Sequence, residues 1–300
     1  MDYHGQFRRT AIERGIPADE VERFAGFLRF AIWTGERLGG PVVGRAGGLP
    51  RLPAGMAWPS AGDSPLPFVA EIDCAALPRV DGLPLPAAGS LLFFLHHENA
   101  YDEYDETKEQ RHARVVHVPA GVDTVTAEEP ADTDGMFCNT RITFIGREHD
   151  LRAAVNAELP AWLEDDDEEF DASDESRSVH HLGLDLPHLN DLRALVAELW
   201  PADGDPGFAL GGYTSGIGEL ATDFLYTTPE TQMAEQALES RGAESGDVPL
   251  EQETLRVMGE WVPLAQFVPD DVYIGRFLIR HDDLAAARFD RALSFTAFTE

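Results

Sequence analysis

The stretch PFVAEID at 67–73, followed after Gly89 by SLLFFL at 90–95, returns near the other end of the chain. There it is VPLAQFV at 262–268, with RFLI at 276–279 after Gly275. Each copy holds two short apolar and aromatic runs with a glycine before the second, the pattern of a strand–turn–strand unit. In register, Ala70, Glu71 and Ile72 fall on Ala265, Gln266 and Phe267. Two copies at unequal spacing are too few for a solenoid, so the pattern predicts a pseudo-duplicated hairpin. The beginning and the end of the chain then play similar structural roles.

Working outward, short β-type runs are expected at 66–72, 90–96, 114–118, 141–145, 261–268, 273–279 and 293–298. Their lengths and hairpin-like spacing favour antiparallel pairing over a doubly wound parallel sheet. Residues 39–89 are dense in Gly and Pro, which denies long helices there. Before them, Val21, Phe24, Phe27, Leu28, Ala31 and Ile32 recur at helical spacing and predict a helix over 17–34, with a weaker one over 4–14. Asp19 and Glu20 suit its first turn and Pro17 its start. Further helices are expected over 150–163, 190–199 and 229–240, the last with Thr228 as N-cap, Pro229 at its first position and Gly242 past its end. The class is α+β, mainly antiparallel β, with an N-terminal helical segment over 1–35 and several peripheral helices. One domain over 1–300 is expected. Two acidic stretches, 98–109 with six acids against Lys108 and 164–178, read as solvated mobile loops.

The 300 residues suffice to bury roughly three quarters of the unfolded surface without staples. Asp plus Glu number 54 against 23 Lys plus Arg, a net charge of −31 that all ten histidines, protonated, would raise only to −21. Such a surface repels phosphate backbones and anionic lipid, so neither nucleic acid nor a membrane is an expected partner; a basic protein is. Cys74 and Cys138 lie in no ligand spacing, which excludes a disulfide scaffold and a structural zinc site. The first fifteen residues lack the apolar core of a signal peptide, and apolar runs of six or seven residues are far short of a membrane span, so a cytoplasmic location is expected.

The blocks GGLPRLPAGMAWP (47–59), PLPFVAEIDCAALP (65–78) and GLPLPAAGSLLFFL (82–95) resemble the signature of the YwqG-like family, bacterial proteins of unknown function. FALGGYTSGIGEL (208–220) resembles that family's Leu-Gly-Tyr segment, and WVPLAQFVPDD (261–271) with VYIGRFLIRHDDLAAARF (272–289) resembles its last two strands. The likeness runs through nearly the whole chain apart from the acidic stretches, and it implies a roll-like, mostly antiparallel β fold. It implies no reaction, cofactor or catalytic residue. Glu71 stands where the family has Gln, Val268 where its second copy often has Asp, and Asp270 to Tyr273 replace its Trp-Gly-Asp.

Chemistry-bearing motifs are few. His96, His97, His112 and His117, or His180, His181 and His188, cluster in sequence, but doublets on a strand point to opposite faces and no HExxH or HxH occurs, so no metal is expected. GGYTSGIG (211–218) lacks the Lys of a phosphate loop, and Ser215 has no assignable base. No cofactor and no catalytic residue is assigned. Candidate binding residues are Glu71, Asp73, Asp270 and Asp271 at the ends of the echoed strands, Gln266 within the second, and the aromatics Trp58 and Tyr213. The expected function is non-enzymatic binding of a basic partner, such as a toxin to be neutralised. The alternative is an enzyme with a carboxylate-lined, metal-assisted cleft between the echoed strands.

Overall fold

A computed structural model describes residues 2–103, 109–131, 144–160, 163, 186–201, 204, 206–214, 228–241, 248–270 and 273–298. Ten strands form one antiparallel sheet: β1 (Arg29–Gly35), β2 (Val42–Ala46), β6 (Phe68–Asp73), β7 (Ser90–Leu95), β8 (Ala113–Val118), β10 (His149–Glu158), β11 (Phe208–Gly211), β12 (Trp261–Asp270), β13 (Tyr273–Arg280) and β14 (Leu293–Phe298). Their spatial order is β14-β13-β12-β11-β1-β10-β2-β6-β7-β8. The sheet curls nearly into a barrel. Phe93 of β7 lies 5.6 Å from Phe277 of β13 and 5.3 Å from Phe208 of β11, although many strands separate them in the sheet. These rings, with Ile72, Leu91, Leu264, Phe267 and Ile279, form the interior. Among the described residues there are seven helices, and no helix is long and apolar enough to cross a membrane.

Three helices add to the interior core: α1 (Tyr3–Glu13), α2 (Ala18–Ala25) and α4 (Leu189–Leu199), through Phe7, Phe24, Leu192 and Leu195. The opposite face of the sheet carries two smaller cores. Over β7, Leu92 and Phe94 pack with Leu52, Leu66, Phe68 and Trp58 beneath two small two-stranded sheets, β3 (Arg51–Pro53) with β9 (Thr124–Thr126) and β4 (Ser60–Ala61) with β5 (Ser64–Pro65). Over β13, Leu278 and Phe295 pack with Ala234 and Val257 of α5 (Pro229–Arg241) and α6 (Leu250–Glu260).

The sequence echo is a structural duplication. β6 pairs with β7 and β12 with β13, and both first strands slip register at the same place, between Phe68 and Ala70 and between Pro263 and Ala265. Glu71 faces Leu92, and Gln266 faces Arg276. The correspondence extends to neighbours: β2 pairs with β6 as β11 pairs with β12. Each of these strands ends in a glycine doublet at positive φ, Gly47–Gly48 and Gly211–Gly212. A Cβ at Gly47 would come within 2.4 Å of the Arg147 carbonyl, and one at Gly212 within 2.0 Å of Glu158, so both doublets need glycine for conformation and for space. β1 and β10 pair in the middle and exchange places: β1 also pairs with β11, and β10 with β2. Two five-stranded units thus interlock through their first strands.

Two expected helices are corrected. The one over 17–34 stops at Ala25, capped by Gly26, and Arg29–Gly35 is the central strand β1. The one over 150–163 is strand β10. Both strands are flanked by partners on each side, and that pairing overrides the helical spacing and the Ala and Leu content. Residues 144–145 form a bend in place of an expected strand end, 141–143 lying outside the described residues. The acidic stretch 98–109 begins in helix α3 (His97–Tyr101), with 104–108 outside the described residues, as is 164–178. The helices over 190–199 and 229–240 are present, and Thr228 Oγ1 accepts the Thr231 N–H at 3.2 Å as its cap.

Between the sheet's end strands, side chains replace a strand. Gln110 donates to the Ser294 carbonyl (2.9 Å) and accepts from its N–H (2.6 Å), while Glu109 accepts from the Thr296 N–H (3.2 Å). This satisfies the outer edge of β14, which would otherwise be free to pair. A cavity of about 370 Å³ remains at the seam, lined by Gln110, Arg114, Trp261, Phe277, Phe289 and Arg291 among others.

Candidate functional site

The duplicated polar position has different chemistry in the two units. In the second, the Gln266 amide donates to the Tyr213 carbonyl at 2.8 Å. Tyr213 follows the Gly211–Gly212 doublet, and its own N–H donates to Glu158 (2.8 Å), which also accepts from the Trp33 indole (2.6 Å). In the first unit, the acid Glu71 takes the place of the amide, and the carbonyl of Leu49, the residue after Gly47–Gly48, needs another donor. Arg45 supplies it: its guanidinium donates to Leu49 O (2.7 Å) and to Glu71 (3.0 and 3.2 Å), with Glu148 at 3.1 Å. Glu71 is therefore a member of an internal ion pair that does the work of one glutamine.

Around Gln266 the second unit buries a polar cluster. Arg276, its cross-strand partner, is 2% exposed, Gln266 2% and Glu230 1%. Among the described residues, Arg276 Nε, Gln266 Oε1 and Glu230 Oε1 each lack a hydrogen-bond partner. Burial pulls the Arg276 guanidinium down to about 10, with Glu230 acting against it. Burial likewise pushes the Glu230 carboxyl up, opposed by a hydrogen bond from the Thr214 hydroxyl and by Arg29 and Arg276. Arg29 lies over the Tyr213 ring at 4.4 Å and donates to the carbonyls of Gly212 (3.2 Å) and Met258 (2.7 Å). Two guanidinium groups thus act on one carboxyl. At the equivalent place in the first unit stands Leu92, fully buried among apolar side chains.

Of the residues singled out in the sequence, Tyr213 and Gln266 come together in this cluster. Glu71 and Asp73 do not join them: Glu71 faces Leu92 on the outer side of the first unit and pairs with Arg45. Asp73 is exposed and accepts the Ala75 N–H at 2.9 Å, capping a turn. Asp270 lies on β12 opposite Tyr273; Asp271 is outside the described residues. Trp58 donates its indole N–H to the Leu66 carbonyl (2.8 Å) and packs against Phe94 and Phe144 as an anchor of the smaller core. Arg29, Glu230 and Arg276 were not expected. The echo read from the sequence set Gly275 on Gly89 and so Arg276 on Ser90; the strand pairing shifts the second strand by two residues and sets Arg276 on Leu92.

The histidines are less exposed than surface imidazoles. His96, His97 and His112 are buried. His97 packs against the rings of Phe267 and Tyr273, its Nδ1 has no hydrogen-bond partner among the described residues, and burial pulls it down to about 3. Among the described residues no three His, Cys, Asp or Glu side chains gather as metal ligands; His180, His181, Cys138 and Ser215 lie outside them.

A near-barrel of two interlocked antiparallel units with helices on both faces defines an α+β protein with an internal duplication. The family model described as a domain of unknown function, DUF1963, matches residues 44–296, and the chain belongs to that family. The matched span opens in β2 and ends in β14, so it holds nine of the ten strands of the large sheet but not β1. No curated protein matches the chain.

Proposed function

We propose that the protein is a non-enzymatic binding module of the cytoplasm whose acidic exterior holds a basic protein partner, with a toxin neutralised by association as the type of partner. Within the broader family, the quoted sequence blocks ally it with the YwqG-like proteins. The observation that carries the proposal is the disposition of charge. Carboxylates exceed basic side chains by 31, and much of the basic complement is already paired internally: Arg8 with Glu22, Arg14 with Glu198, Arg147 with Glu36, and Arg241 and Arg256 with Glu253. Asp63, Asp73, Asp81, Asp123, Glu128 and Glu129 are exposed. Such a field steers cationic proteins at rates that fall steeply with salt. Of the carboxylates in the alternative cleft, Glu71 is paired with Arg45 and Asp73 caps a turn.

The test is affinity capture by the full chain at about 50 mM and about 500 mM salt. Retention of a basic protein at the lower concentration and its release at the higher supports the proposal. Captured proteins no more basic than the lysate, or retention indifferent to salt, would sink it.

A further inference from the structure

The two units of the fold act as internal controls for each other. At corresponding places on β7 and β13, one unit buries Leu92 in a dry core and the other buries Arg276. The scaffold folds around leucine at this position, so architecture does not require the arginine. A buried guanidinium without a hydrogen-bonded counter-ion is costly, and replacing such a group by an apolar one is often neutral or stabilising. Arg276 is accompanied by two more orphans, Gln266 Oε1 and Glu230 Oε1, so three polar groups on one spot await partners. Buried polar atoms are normally satisfied, and a concentration of exceptions needs a cause. Charge gives the sign of the missing group. Arg29 faces Glu158 across β1 and β10 and donates to two carbonyls, whereas Arg276 has no hydrogen-bonded carboxylate among the described residues, so the missing group is an anion at Arg276. Glu230 sits in the first turn of α5, where the helix dipole adds to the positive potential.

We propose that this cluster is a buried binding site for a small oxyanion, a carboxylate or phosphate bearing a hydroxyl. Its oxygens accept from Arg276, and its hydroxyl donates to Gln266 Oε1 or Glu230 Oε1. The site is separate from the acidic exterior and takes a ligand of the opposite sign to the basic partner, so either assignment can fail alone.

The experiment measures thermal unfolding of the full chain with acetate, lactate or inorganic phosphate at about 10 mM, sodium chloride holding ionic strength constant. Wild type is expected to gain at least about 3 °C from one of these anions over the chloride control. Lactate above acetate identifies a hydroxy acid, and phosphate above both a phosphate site. Arg276→Leu, which installs the residue of the other unit, is expected to lose that gain and to melt no lower than wild type in chloride alone. Glu230→Gln removes the competing carboxylate and should enlarge the gain; it decides the matter if Arg276→Leu does not fold. No shift with any of the three anions in wild type overturns the proposal, as do an equal shift in Arg276→Leu and an unchanged or smaller one in Glu230→Gln. Native mass spectrometry provides a second readout: a small anion released from wild type and absent from Arg276→Leu supports the site.

Discussion

His97 should make the protein acid-labile, and His97→Phe should relieve much of that sensitivity. The imidazole is buried against Phe267 and Tyr273, has an unpartnered Nδ1, and is held near pH 3 against an ordinary value of 6.5. The largest cause is desolvation, and repulsion from His96 adds to it. Between those two values the unfolded chain binds a proton that the folded chain refuses, so stability falls as the pH falls. Each unit of pH in this window costs about 1.4 kcal/mol. At pH 4.5, two units below the unfolded value, the deficit reaches about 2.7 kcal/mol. A phenyl ring fills nearly the same volume and removes the orphan nitrogen, so His97→Phe should lie within about 1.5 kcal/mol of wild type at pH 7.5. Many carboxylates titrate in the same range, and only the difference between the two proteins isolates His97. Urea unfolding of both at pH 7.5, 6.0 and 4.5 measures it. The variant should gain on wild type by about 2–3 kcal/mol from the highest pH to the lowest. A difference that stays constant with pH would refute the assignment of the acid sensitivity to this buried ring.

Phe93→Ala, which removes the ring joining the two units across the interior, should cost about 3–5 kcal/mol and leave one cooperative transition. Two separated transitions in calorimetry would show that the units fold independently. Arg45→Ala should cost about 1–3 kcal/mol by stranding Glu71 and the Leu49 carbonyl. Adding Glu71→Gln should recover most of that loss, since glutamine can donate to Leu49 as Gln266 does to Tyr213, and a strictly additive double mutant in urea unfolding would contradict this equivalence. The Cys74 thiol, buried and pushed up to about 11, should be inert to a disulfide reagent at pH 8 in a Cys138→Ser background until denaturant is added. Stoichiometric labelling of the native protein within minutes would count against that burial.

The legible part of the fold was the part written twice. β6 with β7 and β12 with β13 are short apolar runs beside glycine turns, and their repetition marked the four strands and set Glu71 on Gln266; the matching slip, and the two-residue shift that sets Arg276 on Leu92, come from the strand pairing. The illegible part lies at the centre, where the units cross. β1 and β10 are flanked by strands on both sides, and partners distant in sequence determine them. Phe24, Phe27, Leu28, Ala31 and Ile32 keep helical spacing straight through the turn at Gly26, and LRAAVNAE in β10 has the composition of a helix. The candidate site was half legible for a related reason. Gln266 and Tyr213 stood in repeated or recognisable segments, whereas Glu230 and Arg276 are charged residues of kinds that composition assigns to the surface. Only their burial sets them apart.

Duplication explains why the unusual groups can be concentrated in one unit. Once two copies of a strand pair share one interior, each copy's outer face can diverge without disturbing Phe93, Phe267 and Phe277. The first unit kept its outer face apolar: Leu92 and Phe94 lie under the short β3–β9 and β4–β5 sheets, and the lost glutamine is replaced by the Arg45–Glu71 pair, which satisfies the Leu49 carbonyl. The second unit kept the glutamine and covered it with α5 and α6, whose first turn of α5 brings Glu230 to the cluster. The apolar stability of the first face and the interior supports the polar burden of the second, where orphaned Arg276, Gln266 and Glu230 atoms would each cost on the order of 1–3 kcal/mol. A burden of that size, confined to one of two duplicated faces, is what the proposed oxyanion would relieve.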